Sequence, residues 1–485
     1  MTTAPPLPDQ PLDVVIIGAG LSGIAAAYHV KTECPTSAWA VLEARDAIGG
    51  TWDLFRYPGV RSDSDMYTLG YSFRPWPSDR ALADGPSILA YVRETAAHFG
   101  ITPNIRFGHQ VTALAWSSAD ACWTITGTRA GAPFSLRARF VIACTGYYRY
   151  DGGYTPDLPG LADFAGRLVH PQQWPDDLDV TGKRVIVIGS GATAITLVPA
   201  LAKTAAHVTM LQRSPTYIVS RPAIDRSAAR LRRLMPAGAA HTAIRWRNIA
   251  LNQGFYQFCK RYPAAARRFI QRQIEKELPG FDVEQHFGPS YKPWDQRLCL
   301  VPDADLFVAL RDGKATMVTD QIARVTRTGV ELQRGGALDA DVLVTATGLR
   351  LQFLGGASLR VDGVDVDPRA THLYKGTLLG GVPNLAVVLG YTNISWTLKC
   401  ELSVQYVCRV IAHVQQHGLC SATADAAQVH GDEPLIDLKS GYVQRADTQF
   451  PRQGDVSPWR MHQNYLRDVA LLRRGTLDDG VLRFS

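Results

Sequence analysis

One local pattern occurs twice in this chain, and that repetition limits the fold more than any other feature. Residues 13–17, DVVII, form a short β-branched run that ends in Gly18-Ala-Gly20-Leu-Ser-Gly23 and continues as the alanine-rich helical pattern SGIAAAYHV. Residues 185–188, VIVI, run into Gly189-Ser190-Gly191-Ala192-Thr193-Ala194 and then a helical stretch to about Ala205. Each reads as strand, tight glycine turn, helix. In the first, Gly18 permits the turn, Gly20 lets backbone approach a pyrophosphate, and Gly23 lets helix and strand pack closely. The helix N-terminus supplies the anion site. Two such units make this an α/β chain with two Rossmann-like dinucleotide-binding domains.

The residue that ends the next strand tells the two units apart. Glu43 closes WAVLE, 20 residues past Gly23, where a carboxylate binds a ribose hydroxyl. The matching position of the second unit, after HVTML, is the neutral Gln212, with Arg213 and Ser214 next. Loss of the acid removes repulsion toward a 2′-phosphate, and an arginine fork can bind one. The first unit therefore reads as a site for an adenine dinucleotide without extra phosphate and the second as an NADP site, and a flavin, as FAD, that takes hydride from NADPH is the simplest pairing. The bland reading of Arg213 is a surface arginine. Tyr67 and Val111 are counted with the cofactor-binding residues of the first unit.

Two later runs, VIACTG (141–146) and VLVTATG (342–348), carry the chain out of the first domain and back to it. The span 221–293 has helical periodicity and reads as an insertion in the NADP half. The expected order is an FAD domain over 1–156, an NADP domain over 157–220, the helical insertion over 221–293, the NADP domain again over 294–382 and the FAD domain again over 383–485.

A length of 485 residues with 46% hydrophobic and 20% charged residues suits two to three globular domains. The net charge of +7 is modest, and nucleic acid is not among the expected partners. Arg230, Arg232, Arg233, Arg245, Arg247, Arg267, Arg268 and Arg272 concentrate positive charge in the insertion. A solvated helical face accounts for them best. Steering of an anionic cofactor is a second reading, and attachment to a membrane surface a third. The eight cysteines form no CxxC pair and no Cys/His cluster of zinc spacing, so reduced thiols, a cytoplasmic location and no metal are expected. The N-terminal MTTAPPLPDQPLD has no basic segment followed by an apolar run, so no signal peptide is expected. No apolar run reaches the roughly 18 residues of a transmembrane helix.

Two further stretches carry chemistry. After Glu43 comes Gly49-Gly50-Thr51-Trp52, then Tyr57-Pro58-Gly59 and Asp63. The glycines let backbone approach a planar ring, Trp52 could wall it, and Asp63 follows a Pro-Gly turn, where a loop holds it. An Asx-type turn residue is its bland reading. The second stretch, FAGRLVHPQQWP (164–175), lies between the two glycine turns. It is too polar for a core strand and too broken by proline for a long helix.

With these residues in place, the chain resembles the type I Baeyer–Villiger flavin monooxygenases. It matches the pattern Phe-x-Gly-x-x-x-His-x-x-x-Trp-Pro at Phe164, Gly166, His170, Trp174 and Pro175, and the pattern Gly-Gly-x-Trp-x-x-x-x-Tyr-Pro-Gly-x-x-x-Asp from Gly49 to Asp63. GYY, LQRSPTYIVS, PWDQRLCLVP and GYTNISWTLK are most similar to the ethionamide-activating subgroup. The resemblance implies that NADPH reduces FAD, that O₂ adds at the flavin C4a, and that the peroxyflavin converts ketones to esters or lactones and also oxidises sulfides. A fixed cation and protection from water serve that chemistry. The resemblance maps the active-site arginine onto Arg297, with Asp63 orienting it. The bland reading of Arg297 is an ion pair joining the insertion to the NADP domain. Gln296 departs from the lysine that many members carry, which throws more of the phosphate recognition onto Arg213. His170 and Trp174 read as coupling elements between the domains, because peroxyflavin chemistry needs no histidine base. Tyr391, Asn393 and Trp396 are open between lining the substrate cavity and packing the core.

The implied partners are O₂ and an uncharged, hydrophobic ketone or sulfide. The rival enzyme reading is a heteroatom oxygenase with little ketone activity. A disulfide reductase would need a redox cysteine pair, which the sequence lacks. A non-catalytic flavin sensor predicts NADPH oxidation that no substrate accelerates.

Overall fold

The structure, a computed structural model, describes residues 10–485. Residues 1–9, and with them most of the segment bearing on a signal peptide, lie outside the described part. The strand Leu12–Ile17 is central to the first sheet, parallel to Trp39–Leu42 on one side and to the end of Ala132–Ala143 on the other. Val14, Val15 and Ile16 are fully buried. A parallel strand covered on both faces calls for a continuous apolar run rather than alternation, and each such side chain contributes about 1.5–3 kcal/mol. The antiparallel strands His109–Ser117, Cys122–Arg129 and Ala132–Ala143 extend this sheet. Helix Trp396–Gln416 packs along helix Leu21–Glu33, whose Ala25, Ala26 and Ala27 are small enough to allow close approach.

The second sheet is all parallel, in the order Ala315–Thr319, His207–Gln212, Arg184–Ile188, Val342–Thr345, Arg167–Val169. The polar stretch 164–175 is therefore more than a connection. It supplies the edge strand of this sheet, with Arg167 and Leu168 exposed and Val169 buried, followed by a single helical turn at Pro171–Gln173. An edge strand tolerates polar residues because only one side is paired.

Strand Ser358–Val361 pairs in parallel with His109–Ser117 of the first sheet, so the chain rejoins that sheet well before residue 383. The insertion consists of helices Arg226–Leu234, Ala237–Arg261, Pro263–Glu277 and Val283–Phe287, framed by the paired strands Ile218–Arg221 and Cys299–Pro302. It belongs to both halves rather than to the second alone. Ile270, Ile274 and Leu278 enter the second core, whereas Ala240, Ile244 and Ile249 enter the first. The buried Arg245 donates to the carbonyls of Tyr67 and Gly70 and, at 2.8 Å, to Glu401. Among the described residues no helix is long and apolar enough to cross a membrane.

Candidate functional site

Both glycine turns open onto one cleft of about 1080 Å³ between the sheets. At the first turn Gly18 has φ +102°, and a Cβ there would meet the carbonyl oxygen of Cys144 at 2.5 Å. Helix Leu21–Glu33 starts at Gly20 with no side-chain cap, so its first amides remain available to an anion. Gly23 does not border the cleft. A Cβ there would lie 1.8 Å from the Gly18 carbonyl oxygen, which is the close packing its place in the motif predicts. Glu43 Oε2 accepts from the Ala19 amide at 2.7 Å, and Oε1 from the Arg45 amide at 2.9 Å. Burial pushes the Glu43 carboxyl up from its ordinary value, against the pull of these two amides. Glu43 thus braces the turn while bordering the cleft with Gly50, Thr51, Trp52 and Val111.

At the second turn Ser190 Oγ donates to the Ser214 carbonyl at 3.0 Å. A Cβ on Gly191 would meet nothing within 4 Å, and helix Ala192–Leu201 also begins without a side-chain cap. That open space before free amides fits a pyrophosphate. Ser190, Ala192, Thr193 and Ser214 border it. Arg213 is exposed at the rim and makes no hydrogen bond or ion pair with any described residue. Gln212 turns away from the cleft and donates to the His286 carbonyl at 2.8 Å and to Thr319 Oγ1 at 2.9 Å. The position that holds an acid in the first unit here ties the insertion to the sheet.

Arg297 and Asp63 meet in the same cleft. Nε and Nη2 of Arg297 donate to Oδ2 and Oδ1 of Asp63, each at 3.0 Å. Arg297 follows a tight turn in which Trp294 takes φ +70°, a conformation that costs a non-glycine residue about 1–3 kcal/mol. The Asp63 carboxylate holds the Arg297 guanidinium charged, well above its ordinary range. Tyr147, Tyr148 and Tyr442 stand round this pair and border the cleft, as does the buried Cys299. Of the residues left open between cavity and core, Tyr391 and Trp396 border the cleft, whereas Asn393 donates to the Gln463 carbonyl and does not.

Some expected residues sit elsewhere. Tyr67 lies outside the cleft. Its hydroxyl accepts from Arg232 at 2.7 Å, so it anchors the insertion. Phe164, Gly166, Trp174 and Pro175 do not border the cleft either. Phe164 and Trp174 pack against hydrophobic clusters of the second unit, and a Cβ on Gly166 would lie 2.4 Å from the Asp341 carbonyl oxygen. His170 sits behind the cleft wall. Its Nε2 donates to the Gly348 carbonyl at 3.2 Å and its Nδ1 accepts from the Gln172 amide at 3.2 Å. The roles of Tyr147, Tyr148 and Tyr442 are not legible in the sequence, although the GYY run holds the first two.

Two glycine cradles on separate sheets, sharing a cleft that holds an arginine–aspartate fork, define the architecture of a two-nucleotide flavoprotein oxygenase. The model of the flavin-binding monooxygenase-like family matches residues 12–227. The FAD-containing monooxygenase EthA of Mycobacterium tuberculosis is 51% identical over 477 residues, covering 98% of each chain. The enzyme of the same name from Mycolicibacterium smegmatis is 48% identical over 479 residues, covering 98% of this chain and 97% of that one. The chain belongs to this family of FAD-containing monooxygenases. An oxidised steroid monooxygenase bound to NADP, 23% identical, shares its fold with a TM-score of 0.77 over 98% of this chain and 99% of that one.

Proposed function

We propose that the chain is an NADPH- and O₂-dependent monooxygenase that converts ketones to esters or lactones and oxidises sulfides to sulfoxides. The observation that carries this reading is the Arg297–Asp63 fork in the cleft onto which both cradles open. Gly18, Gly20 and Glu43, with Gly50, Thr51, Trp52 and Val111, would hold FAD, and Gly23 keeps their turn closed. Gly189, Ser190, Gly191, Ala192, Thr193, Arg213 and Ser214 would hold NADPH. A bound flavin supplies the redox chemistry with nicotinamide and O₂. The protein supplies position and charge. Arg297 would supply the cation for the negative charge that develops in the reaction, and Asp63 fixes its fork. Phe55, Trp52 and Trp396 give the cleft apolar surface that limits water and suits uncharged substrates. Seven of the eight free thiols are buried, and a reducing cytoplasm suits them.

The test is a visible spectrum of the purified protein for flavin, then NADPH oxidation with a panel of ketones and sulfides and gas chromatography of the products. Ester from a ketone upholds the reading. Sulfoxide with no ester moves the protein to heteroatom oxygenation. NADPH oxidation that no substrate accelerates removes the enzyme reading.

A further inference from the structure

We propose that the paired hydroxyls of Tyr147 and Tyr148 form the hydrogen-bond donor that holds the carbonyl oxygen of a ketone substrate, and that they set the preference of the cleft for ketones over sulfides. This rests on the ester-forming reading above.

The backbone fixes the pair. After strand Ala132–Ala143 the chain turns at Gly146, and the Tyr147 carbonyl accepts from the Gln352 amide at 3.0 Å while Tyr148 bridges to Leu351. The rings are held by packing. Tyr147 lies 4.9 Å from Trp396 and 4.4 Å from Tyr148 between ring centroids, and Phe55 lies 6.3 Å from Tyr148. The two hydroxyl oxygens are 3.1 Å apart, and each has only the other as a partner among the described residues. Two phenols carry two O–H protons. One proton lies between the oxygens, so the second has no acceptor among the described residues. Three neighbouring donors on the cleft wall are already engaged: Trp396 Nε1 with Ser22 at 2.9 Å, Tyr150 with Thr51 at 3.3 Å, Tyr391 with Asp468 at 2.5 Å.

A free donor in a partly buried cleft favours a ligand that brings an acceptor. The first hydroxyl polarises the second, which strengthens it as a donor. Burial pushes both phenols up from their ordinary value, so they stay protonated through the working range. The aromatic faces of Trp396 and Phe55 beside them suit an uncharged acceptor. A ketone oxygen accepts strongly and a thioether sulfur only weakly. The pair therefore acts on one substrate class.

The probes are methyl hexyl ketone and methyl hexyl sulfide, which differ only at the group in question. FAD content from the visible spectrum normalises each variant. In Tyr147→Phe/Tyr148→Phe, kcat/KM for the ketone is expected to fall roughly ten- to hundredfold, while that for the sulfide stays within about threefold. Each single variant leaves one hydroxyl free and should show a smaller loss in the same direction. If the double variant does not hold FAD, the ketone-to-sulfide ratio of Tyr148→Phe decides. Tyr442→Phe removes a phenol of the same cleft that has no hydroxyl partner and should move both substrates together. The inference is overturned if the ratio is unchanged in the Tyr147 and Tyr148 variants, or if Tyr442→Phe alone reproduces the selective loss. If the wild-type protein makes no ester, the ester-forming reading fails by itself. The pair is then judged by binding of the two probes, followed through the fluorescence of Trp396. Selective weakening of the ketone upholds the donor, and equal binding overturns it.

Discussion

Arg297 and Asp63 lie 234 positions apart in the chain, yet the guanidinium meets the carboxylate in a two-point fork, both bonds at 3.0 Å. Asp63 sits on a loop after a Pro-Gly turn of the first unit, and Arg297 on the segment that returns from the insertion, so the fork also joins the halves of the molecule. Arg297→Ala is expected to lower ester formation by roughly 10²–10³-fold while flavin stays bound. Arg297→Lys keeps the charge and loses the fork, so it should recover little. Asp63→Ala frees the arginine to move, which should raise the peroxide formed per NADPH. Product and peroxide are measured against NADPH consumed, and full ester yield from Arg297→Ala would remove the arginine from the chemistry.

Arg213 stands at the second turn without a partner among the described residues. Under the proposed reading, with Gln296 where many members have lysine, Arg213 would be the cation for the 2′-phosphate. Arg213→Ala should reduce kcat/KM for NADPH by about ten- to hundredfold and barely affect NADH. An unchanged ratio of the two values would defeat the assignment.

His170 gives a pH-dependent prediction. Burial lowers its pKa below the ordinary value, and the Gly348 carbonyl opposes that shift more weakly. The folded state favours the neutral ring, which donates at Nε2 and accepts at Nδ1. The unfolded ring takes up its proton below pH about 6.5. The stabilisation is therefore present above that pH and is lost as pH falls through the lower folded value. Between pH 7 and 5 the Tm of the wild type should fall more steeply than that of His170→Ala. The variant should also turn over slowly and leak peroxide while retaining FAD. Recovery of apo-protein instead would make His170 part of the flavin site.

The buried pair Arg245–Glu401 holds the insertion against the first unit. Glu401 Oε1 also accepts from the Ser72 amide and hydroxyl, so each carboxylate oxygen is engaged. Arg245→Met leaves a buried carboxylate without its cation and should cost about 3–5 kcal/mol in denaturant unfolding. The double variant Arg245→Met/Glu401→Leu should recover part of that loss. A single-variant cost below about 1 kcal/mol would mean that apolar packing alone docks the insertion.

The glycine turns were legible in the sequence because their geometry is local. A β-branched strand, a residue at φ +102° and an uncapped helix start all fall within one short run of chain, so the α/β class and both cradles follow from residue order. Glu43 was legible for the same reason, since one strand separates it from its turn. The place of Tyr67 is not legible in the sequence, because its loop folds toward Arg232, a residue of the insertion. Gln212 was matched to the right position, but its side chain answers to His286 and Thr319 rather than to the cleft. The return to the first sheet at Ser358 is not legible in the sequence, because a four-residue strand carries too little pattern to reveal its pairing.

The sequence by itself determined the two nucleotide cradles and the residue types that distinguish them, since both depend on neighbours a few positions apart. Only the tertiary structure decided that the tyrosines of GYY border the same cleft as the Arg297–Asp63 fork, that the arginine-rich helices bridge both cores, and that His170 lies behind the cleft wall. Those placements depend on contacts between segments hundreds of residues apart, and no local propensity encodes them.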